Sequence, residues 1–108
     1  MTASEVTVTP TTYTVSLLPE SNCNHHSYAL TVQYRGDDRW AVLHVGYCLG
    51  SDGEWDYESI PSERRDDWLA THRFPFDEAV RLAVKAAPKV DVNGWTAERV
   101  LAEGRGAR

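Results

Sequence analysis

Thiol and imidazole side chains are the first place to look for chemistry. In this 108-residue chain most of them fall into two short stretches, Cys23, His25 and His26, then His44 and Cys48. Both groups are ordinary zinc ligands, and pairing the second predicted strand with the third brings Cys48 close to His25. The spacing nevertheless matches no compact zinc motif. His44 and Cys48 lie four residues apart on one predicted strand, about 13 Å at ~3.3 Å per residue, too far to share an ion. At most Cys23, His25 and Cys48 converge, one ligand short of a tetrahedral site. No metal or other cofactor is expected, and Cys48 reads as a buried thiol beside a solvated polar loop.

Nucleophilic chemistry finds no better footing. There is no Gly-x-Ser-x-Gly elbow, phosphate-binding glycine loop or His-Glu-x-x-His. Gly50-Ser51-Asp52-Gly53 lacks the lysine of a phosphate loop and reads as a hairpin turn. Asp66 and Asp67 are paired carboxylates, but adjacent helical positions point about 100° apart, as on a solvated face. The chain is therefore read as non-enzymatic.

Acids and aromatics interleave between residues 52 and 67. Glu54, Asp56 and Glu58 alternate with Trp55 and Tyr57 on one predicted strand, and Asp66 and Asp67 follow. Here the loop length decides the meaning. A two-residue Asp52-Gly53 turn puts Trp55 and Tyr57 beside Trp40, Val42 and Cys48, on a second face of the sheet. A loop one residue longer puts them into the main core and leaves the acids outside. Either version marks Trp40, Trp55, Tyr57, Glu54, Asp56, Glu58, Asp66 and Asp67 as partner-binding candidates.

Composition narrows the partner. The net charge of −5 disfavours nucleic acid and anionic lipid, whose binding requires clustered Lys and Arg. No apolar run approaches the ~20 residues of a membrane span, and Met1 to Glu5 lacks the basic and apolar regions of a signal peptide. A cytoplasmic protein with reduced cysteines is expected.

These side chains have to be positioned by one domain spanning 1–108, with 1–11 and 104–108 frayed. Tyr13, Val15 and Leu17 alternate with Thr14 and Ser16, which predicts a half-buried strand. A second strand alternates Tyr28, Leu30, Val32 and Tyr34. A two-residue Gly36-Asp37 hairpin loop then pairs Val32 with Ala41, Leu30 with Leu43 and Tyr28 with Val45. The third strand, 39–49, is apolar on both faces, and residues 54–58 form a fourth. After Ile60 the period turns helical: a helix from Pro61 to Thr71, a second from Asp77 to about Ala87, and a third, capped by Thr96, from Ala97 to Glu103. The class is α+β, a three- to four-stranded antiparallel meander packed by two to three C-terminal helices.

The stretches Tyr13-Thr14-Val15-Ser16-Leu17-Leu18-Pro19-Glu20, Gly53-Glu54-Trp55-Asp56-Tyr57-Glu58 and Trp68-Leu69-Ala70-Thr71-His72-Arg73-Phe74 resemble small uncharacterised proteins of actinobacteria and their phages. The resemblance spans most of residues 12–96, implies a bacterial or phage cytoplasmic setting, and brings no catalytic residues. The nine Arg against two Lys agree with a GC-rich source. The function expected is that of an accessory factor of a phage or mobile element, binding a basic surface of a host protein. The alternatives are a homo-oligomer paired through Trp40, Val42 and Trp55, and a small metal-dependent enzyme.

Overall fold

The computed structural model describes residues 5–58 and 60–104. Strands β1 (Thr12–Val15), β2 (Leu30–Tyr34), β3 (Trp40–His44), β4 (Tyr47–Leu49) and β5 (Trp55–Tyr57) form an antiparallel sheet in sequence order. A single-turn helix α1 (His25–Tyr28) lies in the β1–β2 connector. Helices α2 (Asp66–His72), α3 (Phe76–Ala86) and α4 (Ala97–Ala102) make up the C-terminal part, with a small ribbon of β6 (Asp91–Val92) and β7 (Trp95–Thr96) between the last two. The α+β class and the meander stand. Of the ends expected to fray, 1–4 and 105–108 lie outside the described residues, and 5–11 are exposed throughout.

The sheet has one strand more than the alternation predicts, because residues 39–49 do not run straight. The chain reverses at Val45-Gly46, with φ of +48° and +82°, and pairs His44 with Tyr47. Positive φ at both loop positions is the hairpin geometry that matches strand twist. A β-branched valine fits it poorly, so Gly46 is the one residue of the pair that suits the turn. Tyr28, expected in the second strand, instead ends α1 and donates from its hydroxyl to Trp95 O at 2.8 Å.

Register also differs from the expectation. The β2–β3 loop holds three residues, Gly36, Asp37 and Asp38, all at positive φ, closed by Arg35 N donating to Arg39 O at 2.8 Å. Asp tolerates the left-handed region because its short side chain bonds locally. The extra residue pairs Val32 with Val42 in place of Ala41. A one-residue slip exchanges the faces of a strand, so Trp40 and Val42 face the main core and Ala41 and Leu43 turn away.

On that first face Leu30, Val32 and Val42 are fully buried, and each such side chain contributes roughly 1.5–3 kcal/mol by leaving water. Helix α3 closes it with Ala79 and Ala83, small enough for close approach. Val84, next to Ala83 on the same helix, is exposed. At one end Phe76 stands 4.9 Å from the ring of Trp40 and 5.0 Å from that of Tyr13. Helix α4 begins at Thr96, whose hydroxyl accepts from Arg99 N at 3.3 Å. Helix α3 has Pro75 at its cap position and Asp77 in its first turn.

Residues 61–71 are not one helix. A 3-10 turn at Pro61–Glu63 precedes α2, which starts only at Asp66. Helix α2 covers the second face of the sheet at β4 and β5. The chain then crosses to the first face through Phe74, which exchanges two backbone hydrogen bonds with Trp40 (2.7 and 2.9 Å) beside the end of β3.

Candidate functional site

Strand β5 positions the acidic and aromatic residues. Its preceding loop is again one residue longer than the minimal turn: Gly50 N donates to Glu54 O at 2.9 Å, and Leu49 pairs with Trp55. Trp55 and Tyr57 therefore share the first face with Tyr47 and Leu49. Asp56 and Glu58 share the second with Cys48, which pairs with Asp56. The longer-loop expectation gives the right face, but only Trp55 packs against the core and Tyr57 stays exposed. Of the acids Glu54 is exposed, whereas Glu58 is covered on the face where α2 lies.

Glu58 is the hub beneath α2. Arg35 donates to its Oε2 at 2.7 Å and Arg73 to its Oε1 at 3.0 Å, with Arg64 3.7 Å from Oε2. Burial raises the Glu58 pKa, but the hydrogen bond from Arg35 and the charges of Arg35, Arg73 and Arg64 outweigh it and hold the carboxyl below its ordinary value. Arg73 is 8 % exposed and spends its other donors on His72 O at 2.9 Å and Cys48 Sγ at 3.5 Å. Its guanidinium also lies 5.4 Å from the ring of Trp68.

His72, one turn along α2, stacks on Trp68 with centroids 4.1 Å apart and planes 6° apart. Its Nδ1 is 2.7 Å from Trp68 O and its Nε2 2.7 Å from Asp56 Oδ2. The ring comes so near the β4–β5 loop that a Cβ on Gly50 would lie 3.1 Å from Nε2 and 2.9 Å from Asp52 Oδ1. Position 50 thus excludes a side chain by contact.

Thr71 Oγ1, His72 and Asp56 follow one another as hydroxyl, imidazole and carboxylate, the order of a nucleophilic relay. The Thr71 hydroxyl, however, also meets Trp68 O at 3.1 Å and Asp67 O at 3.4 Å, back-bonds typical of a helical threonine. Cys48 is held as a thiol: burial pushes it up to about 11 against the lowering pull of Arg73, whereas a nucleophilic cysteine must ionise near neutrality. The arrangement holds α2 to the sheet.

The metal candidates separate. Cys23 is exposed in the β1–α1 connector and Cys48 is buried beneath α2. His25 meets Leu18 O through Nδ1 at 2.8 Å. The register that would have joined them does not form. Among the described residues no group of three His, Cys, Asp or Glu is placed to hold a metal ion.

The expected partner-binding residues divide three ways. Trp40 is 8 % exposed beneath α3, so neither it nor the fully buried Val42 offers a face for pairing copies. Glu58 is enclosed by arginines, and Asp56 is engaged by His72 but half open. Glu54, Asp66 and Asp67 are exposed, with Asp67 3.5 Å from the equally exposed Arg65. Trp55 is half-buried and Tyr57 is 71 % exposed. Tyr47, not among the candidates, joins Tyr57 edge to face at 6.3 Å. Val45 and Ile60 are also exposed. The hidden β3–β4 turn is why Tyr47 was missed: in a continuous third strand it would lie in the core.

Comparison with protein-family models, curated proteins and solved structures finds no match. Among the described residues no helix is long and apolar enough to cross a membrane.

Proposed function

We propose that the chain is a non-enzymatic interaction module, an accessory factor that captures an extended segment of a partner protein along β5. The open aromatic edge supports this reading. Strand β5 ends the sheet. Gly50 N donates to Glu54 O and Glu58 N donates to Gly46 O, so residues 54, 56 and 58 turn their main-chain groups toward β4. By alternation Trp55 and Tyr57 turn theirs outward. Unpaired edge groups are a template for strand addition, and Tyr and Trp are the residues that most often anchor protein interfaces.

The two faces dictate the guest's pattern. On the first face it meets Tyr57 and Trp55 and should be apolar. On the second it meets Glu54 and Asp56 and should be basic, as electrostatic complementarity requires. The test is selection from a random peptide display library on the intact protein, followed by Tyr57→Pro. That change removes an outward N–H without touching the ladder to β4. Peptides alternating apolar with Lys or Arg, and losing most of their binding to a folded Tyr57→Pro variant, are expected. Binders indifferent to Tyr57→Pro, or lacking the alternation, refute the reading.

A further inference from the structure

Where the β2–β3 loop meets α2, a cleft of about 380 Å³ opens between Arg35, Asp37 and Arg39 on the sheet side and Leu69, Ala70 and Arg73 on the helix side. Three guanidiniums line it against one carboxylate, in a chain whose net charge is −5. Behind it, Glu58 is the shared partner of Arg35, Arg73 and Arg64. Arg35, Arg39 and Arg73 outnumber Asp37 and Glu58 by three to two, which leaves the local field positive, and a cleft with low-dielectric walls concentrates that field.

The lining is built as well as charged. Arg73 is buried and fixed by Glu58, His72 O and the Trp68 ring, so its guanidinium is held in one place. Arg35 is anchored by its 2.7 Å contact with Glu58. Arg39 is exposed, and among the described residues no carboxylate lies within ion-pair distance of it. Leu69 and Ala70 supply an apolar wall. A guanidinium fork matches two oxygens of a phosphate or carboxylate.

We infer that this cleft binds a small organic anion, with a phosphate or carboxylate head held by Arg39 and Arg35 and a short apolar body against Leu69 and Ala70. The site lies on the second face, apart from the outward groups of β5, and binding here needs no strand addition there.

Phenyl phosphate and benzoate are suitable probes, titrated into the intact protein and followed by amide shifts and by thermal denaturation. Sodium chloride at the same ionic strength is the control. Ligand that binds only the folded state raises the melting temperature. The expected result is saturable shifts at Leu69, Ala70 and Arg39 with one or both probes, and a stabilisation beyond that of the salt. The head group with the larger effect identifies the natural one. Arg39→Ala lies outside the Glu58 network and keeps the fold, and should weaken binding about tenfold, as for one charge-assisted contact. Stabilisation no greater than that of sodium chloride, or affinity unchanged in Arg39→Ala, overturns the inference.

Discussion

Helices close the two faces of the sheet by different physics. Under α3 the contacts are apolar: Leu30, Val32 and Val42 from the strands meet Ala79 and Ala83 from the helix. Under α2 they are ionic and hydrogen-bonded, with Glu58 amid three arginines and His72 against Asp56. Apolar burial is non-directional and tolerates volume-conserving exchange. A buried charge network is worth little beyond a well-packed apolar core, yet is strongly destabilising when one partner is lost. The first face should therefore set the stability of the domain, and the second the exact seating of α2 and the cleft beside it.

The largest effect expected is on the first face. Leu30 is fully buried, and Leu30→Ala should destabilise by about 4 kcal/mol, the lost transfer energy plus a residual cavity. Urea unfolding should show this as a lower midpoint with an unchanged slope. A loss below about 1 kcal/mol would place the main core elsewhere.

On the second face Glu58→Gln leaves Arg35 and Arg73 without the carboxylate they bond and should remove about 3 kcal/mol, the lower end for a broken buried pair because Arg35 is partly solvated. The same residue sets an acid limit. Its folded pKa lies below the ordinary value, so its stabilisation is complete above about pH 4.3 and is lost as pH falls through the folded value. Hydrogen exchange on acidification should open α2 before α3, and Glu58→Gln should abolish that difference. Simultaneous opening of both helices would contradict the division of labour.

The smallest of these effects belongs to the loop. Gly50→Ala forces a methyl group against His72 and Asp52, and should reduce stability by about 1–2 kcal/mol, as overpacking does. The Asp56–His72 contact should shift in the His72 side-chain NMR signals while the α3 amides stay unchanged.

What the sequence made legible follows the same division. The alternation of Tyr13 and Val15, that of Leu30, Val32 and Tyr34, and the Thr96 cap of α4 each report a local rule. These residues lie in the elements predicted, although β1 ends before Leu17 and β2 begins only after Tyr28. The hairpin loops at Gly36-Asp37 and Asp52-Gly53 were legible in place but not in length, each being one residue longer. Asp37 and Asp38 take left-handed backbone without glycine, and Val45 does so against its own preference. Each such loop shifts or ends a strand, and with it the side to which every later residue points. The Glu58 network was illegible for that reason: Arg35, Arg64 and Arg73 converge only once two hairpins and a helix are set. Trp55 and Tyr57 could be placed conditionally, because the choice rested on one loop length.

The bridge between Trp40 and Phe74 has a kinetic consequence. The meander grows through hairpins between neighbours in sequence, which close with little loss of chain entropy. The bridge joins residues far apart in the chain, and it is where the polypeptide passes from one side of the sheet to the other. Helix α2 can lie down on its face and α3 on the opposite one only with this crossing point threaded beside β3. Assembly of the helical half should therefore wait on the end of β3, with the bridge forming as a late, slow, shared step.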